Sequence, residues 1–195
     1  MSTLNWSPHQ PTLHTVTATG KNIILRPWNI SDADAVFRAC QDPGITRWTT
    51  TPDPYLPEHA ASFIEASTFG PWDSASGANF AVANEATDEV VASCGFVRGE
   101  DAHSRAEIGY WVAPWARRQG IAAAAVRALT RWGFEDLGLE RIIIEAATDN
   151  EASQRVALSS GFIWEGIQRA REQKEGHRND LVLFSRLPSD PQFPE

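Results

Sequence analysis

The residues of most chemical promise lie in one run, Trp111-Val112-Ala113-Pro114-Trp115-Ala116-Arg117-Arg118-Gln119-Gly120-Ile121-Ala122. A strand-like segment passes there through a basic turn into a strongly periodic helix. The first turn of a helix leaves backbone N–H groups without intrahelical partners, and the helix dipole adds partial positive charge at that end. Such a place holds a pyrophosphate largely by main chain. Gly120 lets backbone approach an anion with no Cβ in the way, Ala122 keeps the next turn small, and Arg117 and Arg118 offer charge-assisted contacts. Metal chemistry has no comparable support, because His9, His14, His59, His103 and His177 are scattered without paired spacing. His177 reads as a loop residue. Cys40 and Cys94 have no Cys-x-x-Cys spacing and read as buried thiols.

Elements must be found that place this run. Residues 1–21, with Pro8 and Pro11, read as an extended or flexible arm, to which no function attaches. Ile23-Ile24-Leu25-Arg26-Pro27-Trp28 suits an edge strand closed by proline. Ser31 is a candidate N-cap for a helix carrying Ala33, Val36, Phe37 and Cys40 on one face, stopped by Pro43-Gly44. Ile45 to Tyr55, with three threonines and two prolines, reads as a loop, and Pro57 opens a second helix with Ala60, Phe63 and Ile64 inward. Asn79–Asn84, Glu89–Val97 and Arg105–Val112 form an antiparallel meander. Ile121, Ala125, Ala128, Leu129 and Trp132 repeat at helical spacing, and the helix ends between Gly133 and Gly138. The β-branched run Arg141–Ala147 follows, so strand, helix, strand implies a parallel pair. Asp149-Asn150 caps a short helix to Ser160, and strands from Gly161 to Ile167 and from Leu181 to Leu187 pair last.

Composition limits the functions open to such a chain. With 195 residues, 42% of them apolar and 22% charged, it can bury a core and is not a solvated disordered chain. A formal charge of −8 argues against a general nucleic-acid binder, so any anionic ligand must meet a local patch. No window has the apolar length of a membrane helix, and the first residues lack the order of a secretory signal, which implies a cytoplasmic protein with no membrane partner.

A second segment, Asn150-Glu151-Ala152-Ser153 continuing to Gly161-Phe162, completes a pattern. Together with Arg117 to Ala122 it resembles the GCN5-related N-acetyltransferase (GNAT) superfamily over residues 22–187, leaving a tail at 188–195. Leu25-Arg26-Pro27, Ala106 to Trp111, Glu165-Gly166 and Gly176 to Asp180 resemble its branch of RimJ- and RimL-type ribosomal-protein alanine N-acetyltransferases. The resemblance implies an α/β (α+β) fold: a single GNAT-like domain with a mixed central sheet, an antiparallel N-terminal meander, a splayed parallel pair at the CoA site and helices on both faces.

It also implies direct attack of a primary amine on acetyl-CoA, with no metal, the acceptor being a protein N-terminal alanine or a small-molecule amine. The chain would be a monomer or homodimer. Trp111 and Val112 would bind the pantetheine arm by backbone. Arg117, Arg118, Gln119, Gly120, Ile121 and Ala122 would take the pyrophosphate, and Asn150 the pantetheine region. Ser153 would hydrogen-bond the leaving sulfur. Many relatives place a tyrosine acid four residues before Gly161, where this chain has Ala157. Glu107, Glu145 and Glu172 compete as the base, Glu107 and Glu172 being favoured. An ordinary glutamate is a far weaker base than an amine, so desolvation or a water relay is required. Trp28, Trp48 and Tyr55 would line the acceptor site. The missing tyrosine leaves a second reading: a catalytically silent CoA-binding or amine-sensing module.

Overall fold

Alternation of exposed and buried residues along the strands decides which side chains reach which layer. In the computed structural model, which describes residues 4–7, 9–73, 76–100, 103–174 and 176–191, the strands form one eight-stranded sheet among those residues. They are β1 (Leu13–Val16), β2 (Asn22–Arg26), β3 (Ala78–Asn84), β4 (Val90–Glu100), β5 (Arg105–Val112), β6 (Arg141–Ala147), β7 (Ile163–Lys174) and β8 (His177–Arg186). Their spatial order is β1-β2-β3-β4-β5-β6-β8-β7. All neighbours are antiparallel except β5 and β6.

The helices are α1 (Ala33–Ala39), α2 (Pro43–Trp48), α3 (Pro57–Asp73), α4 (Ile121–Trp132) and α5 (Glu151–Ser159). Phe80, Val82, Ala106, Ile108, Ile142 and Ile144 point to the face covered by α4 and α5, where Val126, Leu129 and Ala157 complete the larger core. Ala81 and Trp111 point to the other face, against Val36, Ala39, Ile45, Ala60 and Ile64 of α1, α2 and α3. Helices on both faces give the expected α/β layering. Beyond α4 a π turn, Gly133–Leu137, ends on Gly138 at φ +80°, in the window where the helix was expected to stop.

Four expectations are corrected. The segment 23–28 is not an edge: β1, drawn from the arm, pairs with β2 from Leu13↔Leu25 to Val16↔Asn22. Pro27 lies past the end of β2 and removes no ladder donor. Ile45 to Tyr55 is not all loop, because α2 occupies Pro43–Trp48. Pro43 sits in its first turn and the Asp42 side chain accepts from Gly44 N, so the proline expected to stop one helix begins another. Ser31 is not the N-cap. It lies in a 3₁₀ turn, Ile30–Asp32, capped by Asn29, and Asp32 is buried against Arg26 at 2.8 Å. Finally, the last hairpin is longer than expected, reaching Lys174 in β7 and starting at His177 in β8, so His177 opens a strand. β7 is exposed along most of its length at the sheet edge, which leaves no apolar alternation to read.

Candidate active site

β5 and β6 pair only at Arg105↔Arg141, Ala106↔Ile142 and Glu107↔Ile143. β6 then follows β8 as far as Ala147↔Leu181, while β5 follows β4 to its end at Val112. The two strands diverge, and Ile108 to Val112 lose their ladder on the β6 side. Free strand backbone at a splay can pair with an extended, amide-bearing ligand.

Past the end of β5 the chain enters α4 through Arg118 at φ +61° and Gly120 at φ +74°. Gly120 is the N-cap and among the described residues no side chain caps the helix, so its first N–H groups meet no competition from a capping oxygen. The turn between β1 and β2 braces this loop. Thr19 Oγ1 donates to Gln119 O at 3.2 Å, Lys21 Nζ donates to Gln119 Oε1 at 2.7 Å, and a Cβ on Gly120 would stand 3.5 Å from Ala18 N. Only the tertiary fold brings these residues 100 positions along the chain to the loop. Arg118 is exposed. Arg117 instead points to α2, with its guanidinium 2.6 Å from Asp42 Oδ1 and its Nε donating to Val112 O at 3.4 Å. That guanidinium holds the Asp42 carboxyl below the usual carboxylate range.

Ser153 lies in the first turn of α5, where Asn150 Oδ1 accepts from its backbone N–H at 3.1 Å. Its hydroxyl meets the phenol of Tyr110 on β5 at 2.8 Å. Tyr110 stands among the strand residues of the splay and reaches across to α5. Burial pushes its pKa up, so the phenol keeps its proton. Sequence reasoning gave Tyr110 no role. Its signal was its register on β5, one residue from Trp111 and on the opposite face.

The three glutamates occupy different surroundings. Glu107 and Glu145 share a cavity of about 200 Å³ with Arg105, Arg141, Gln168 and Arg171. The Glu145 side chain is 5% exposed and its carboxylate meets Arg171 Nε at 3.2 Å. Glu172 lies elsewhere: it pairs with Asn179 in β8, four residues from the Leu183 that faces Glu145, or about 13 Å along a strand. Asn179 Nδ2 donates to Glu172 Oε2 at 3.2 Å.

Among the aromatics, Trp28 and Tyr55 are buried in the smaller core, where Trp28 packs edge-on against Phe63 and tilted against Trp111. Among the described residues the buried Trp28 indole N–H has no hydrogen-bond partner. Trp48, at the end of α2, is half-buried with the Arg47 guanidinium 4.4 Å over its ring. Burial pushes the Cys40 thiol up to about 11 and raises Cys94 further. Among the described residues no group of three or more His, Cys, Asp or Glu could hold a metal ion, and no helix is long and apolar enough to cross a membrane.

Residues 22–163 match the Acetyltransferase (GNAT) domain. The chain is 33% identical over 164 residues to the uncharacterized N-acetyltransferase YoaA of Bacillus subtilis, covering 84% of this chain and 92% of that protein. It is 35% identical over 100 residues to the ribosomal-protein-serine acetyltransferase of Escherichia coli, covering 51% and 56% of the two chains. Mycobacterium smegmatis RimJ, solved in complex with CoA-disulfide, superposes with a TM-score of 0.82 at 22% identity, over 96% of this chain and 90% of that one.

Proposed function

This chain belongs to the GNAT acetyltransferase family, and from that premise we propose that its acceptor is the amino terminus of a protein. The chemistry it performs is acetyl-CoA-dependent N-acetylation. What supports a protein terminus over a small amine is the shared half-chain with an enzyme named for ribosomal-protein serine.

In this reading the uncapped start of α4 receives the pyrophosphate from Gly120, Ile121 and Ala122, with Arg118 and Gln119 beside it. Backbone on the open side of β5 near Val112 takes the pantetheine amides, with Asn150 at the other wall. Ser153 lies where the thioester sulfur would leave. Of the carboxylates, Glu145 is committed to Arg171. Glu107 lines the cavity together with Glu145 and three guanidinium groups, away from Glu172. Glu172 meets the neutral amide of Asn179, and we assign it as the base that draws the proton from the attacking amine, directly or through water.

The amine nitrogen attacks the thioester carbonyl, the C–N bond forms as the C–S bond breaks, and CoA leaves as a thiolate. The test is thiol release from acetyl-CoA with peptides beginning in serine, alanine or another residue, alongside polyamines and amino acids. Fastest release with a peptide terminus is expected. Release with small amines alone overturns the acceptor, and CoA binding without release from any acceptor returns a silent binding module.

A further inference from the structure

The hydroxyl of Ser153 has two lone pairs and one hydrogen, and what it can do for a leaving sulfur depends on where that hydrogen points. Two fixed contacts bear on it. Asn150 accepts from the Ser153 backbone N–H and fixes the serine's place at the start of α5. Tyr110, anchored in β5 and so on the opposite wall of the splay, lies 2.8 Å from Ser153 Oγ and 3.3 Å from Ser153 O. At the carbonyl the phenol is the donor, because a carbonyl oxygen can only accept, while at the 2.8 Å contact either hydroxyl can donate. With the phenol hydrogen shared between those two acceptors, the serine keeps its own hydrogen for a third partner.

We propose that Tyr110 is a positioning residue for the acetyl transfer, donating to Ser153 across the splay so that the serine O–H is aimed at the leaving sulfur. This rests on the acetyltransferase reading above. Neither side chain ionises. As the C–S bond breaks, its electron pair goes to sulfur, Ser153 donates a hydrogen bond to the developing thiolate, and the departed thiolate takes its proton from water. The proton of the attacking amine goes to the base. The phenol is the same residue type that many relatives place at the position of Ala157, but here it acts from β5 and through the serine.

The prediction separates orientation from mere support. The stake of Ser153 in the reaction grows with charge on sulfur, so it must shrink when the thiol is more acidic. Tyr110→Phe and Ser153→Ala are to be assayed with acetyl-CoA and with an analogue carrying an aromatic thiol in place of the terminal cysteamine, using the fastest acceptor of the panel above. With acetyl-CoA each variant is expected to lose roughly tenfold in kcat, the scale of one hydrogen bond to a charged group, with KM for acetyl-CoA little changed. With the aromatic thioester most of that loss should vanish, and the double variant should be no slower than Ser153→Ala. An equal loss with both donors, or losses that multiply in the double variant, overturns the proposal. Should Tyr110→Phe fail to fold, the donor dependence of Ser153→Ala decides alone. Wild-type protein that transfers no acetyl group sinks the enzyme reading together with this one. Active wild type with donor-blind variants sinks only this one.

Discussion

Gly120 does two things that only glycine does without strain. It holds φ +74°, and it presents bare backbone at the start of α4. An alanine there is strained by about 1–2 kcal/mol, and a larger side chain also fills the approach to the first N–H groups. Gly120→Trp is expected to abolish measurable CoA binding by calorimetry while thermal unfolding shows the fold retained. CoA affinity unchanged in that variant would move the cofactor elsewhere. The carboxylates answer to a different measurement. With Glu172 as base, Glu172→Gln is expected to lower kcat by about 10²-fold near neutral pH. The deficit should narrow as pH approaches the amine's own pKa, where free amine no longer needs a base. Glu107→Gln, in the cavity away from Glu172, should leave kcat and that pH profile close to wild type. A reversed pattern makes Glu107 the base. Residue types and local order made Gly120, Ser153 and these glutamates visible in the sequence. Tyr110 and the partner of Arg117 were not, since each depends on a side chain brought in by a different element.

At the scale of elements the helix that was read as loop has the most to explain. α2 has only six residues, too few to be stable alone, and is held from several sides. Arg117 of the α4 loop meets its N-cap Asp42, Arg47 reaches Asp149 before α5 at 3.0 Å, and Lys174 of β7 donates to the carbonyls of Thr46, Arg47 and Thr49. Thus α2 is tied to the loops on both sides of the splay and to the final hairpin. Asp42-Pro43 is a local start signal, but the ties that hold so short a helix come from residues 75 and more than 120 positions away. Lys174→Met removes the ammonium from three carbonyls and is expected to cost about 1–3 kcal/mol of stability. It should also raise the acceptor KM with KM for acetyl-CoA unchanged; an unaltered acceptor KM would detach α2 from the acceptor site. The Asp42 tie carries a pH signature. Its folded pKa is depressed below the ordinary 3.8, so its stabilisation is complete above that value and lost as pH falls through the folded pKa. The pair is partly exposed, and Asp42→Asn should cost only about 0.2–1 kcal/mol at neutral pH, with the difference from wild type closing in acid.

Across the whole molecule, the layering, the antiparallel meander and the parallel pair followed from patterns that the sequence displays openly: the strand runs up to β5, the long face of α4, and the β-branched β6. The β1–β2 turn that braces the cofactor loop and the reach of the edge hairpin were hidden, because exposed polar strands carry no apolar rhythm. One property needs no fold to be read. A formal charge of −8 surrounds a site that must admit the polyanion acetyl-CoA. The start of α4, with Arg118 and Lys21 near Gln119, is a local exception within that field. Long-range repulsion and local attraction then act on the cofactor at different distances, and salt screens the first over a Debye length of about 10 Å at 0.1 M. For a lysine-rich peptide acceptor the long-range term has the opposite sign. Raising ionic strength from low values should therefore slow capture of a cationic peptide, seen as a falling kcat/KM, while kcat/KM for acetyl-CoA holds steady or rises. A steep fall for acetyl-CoA instead would mean that the local patch governs its approach from well beyond contact and that the net charge does not steer either substrate.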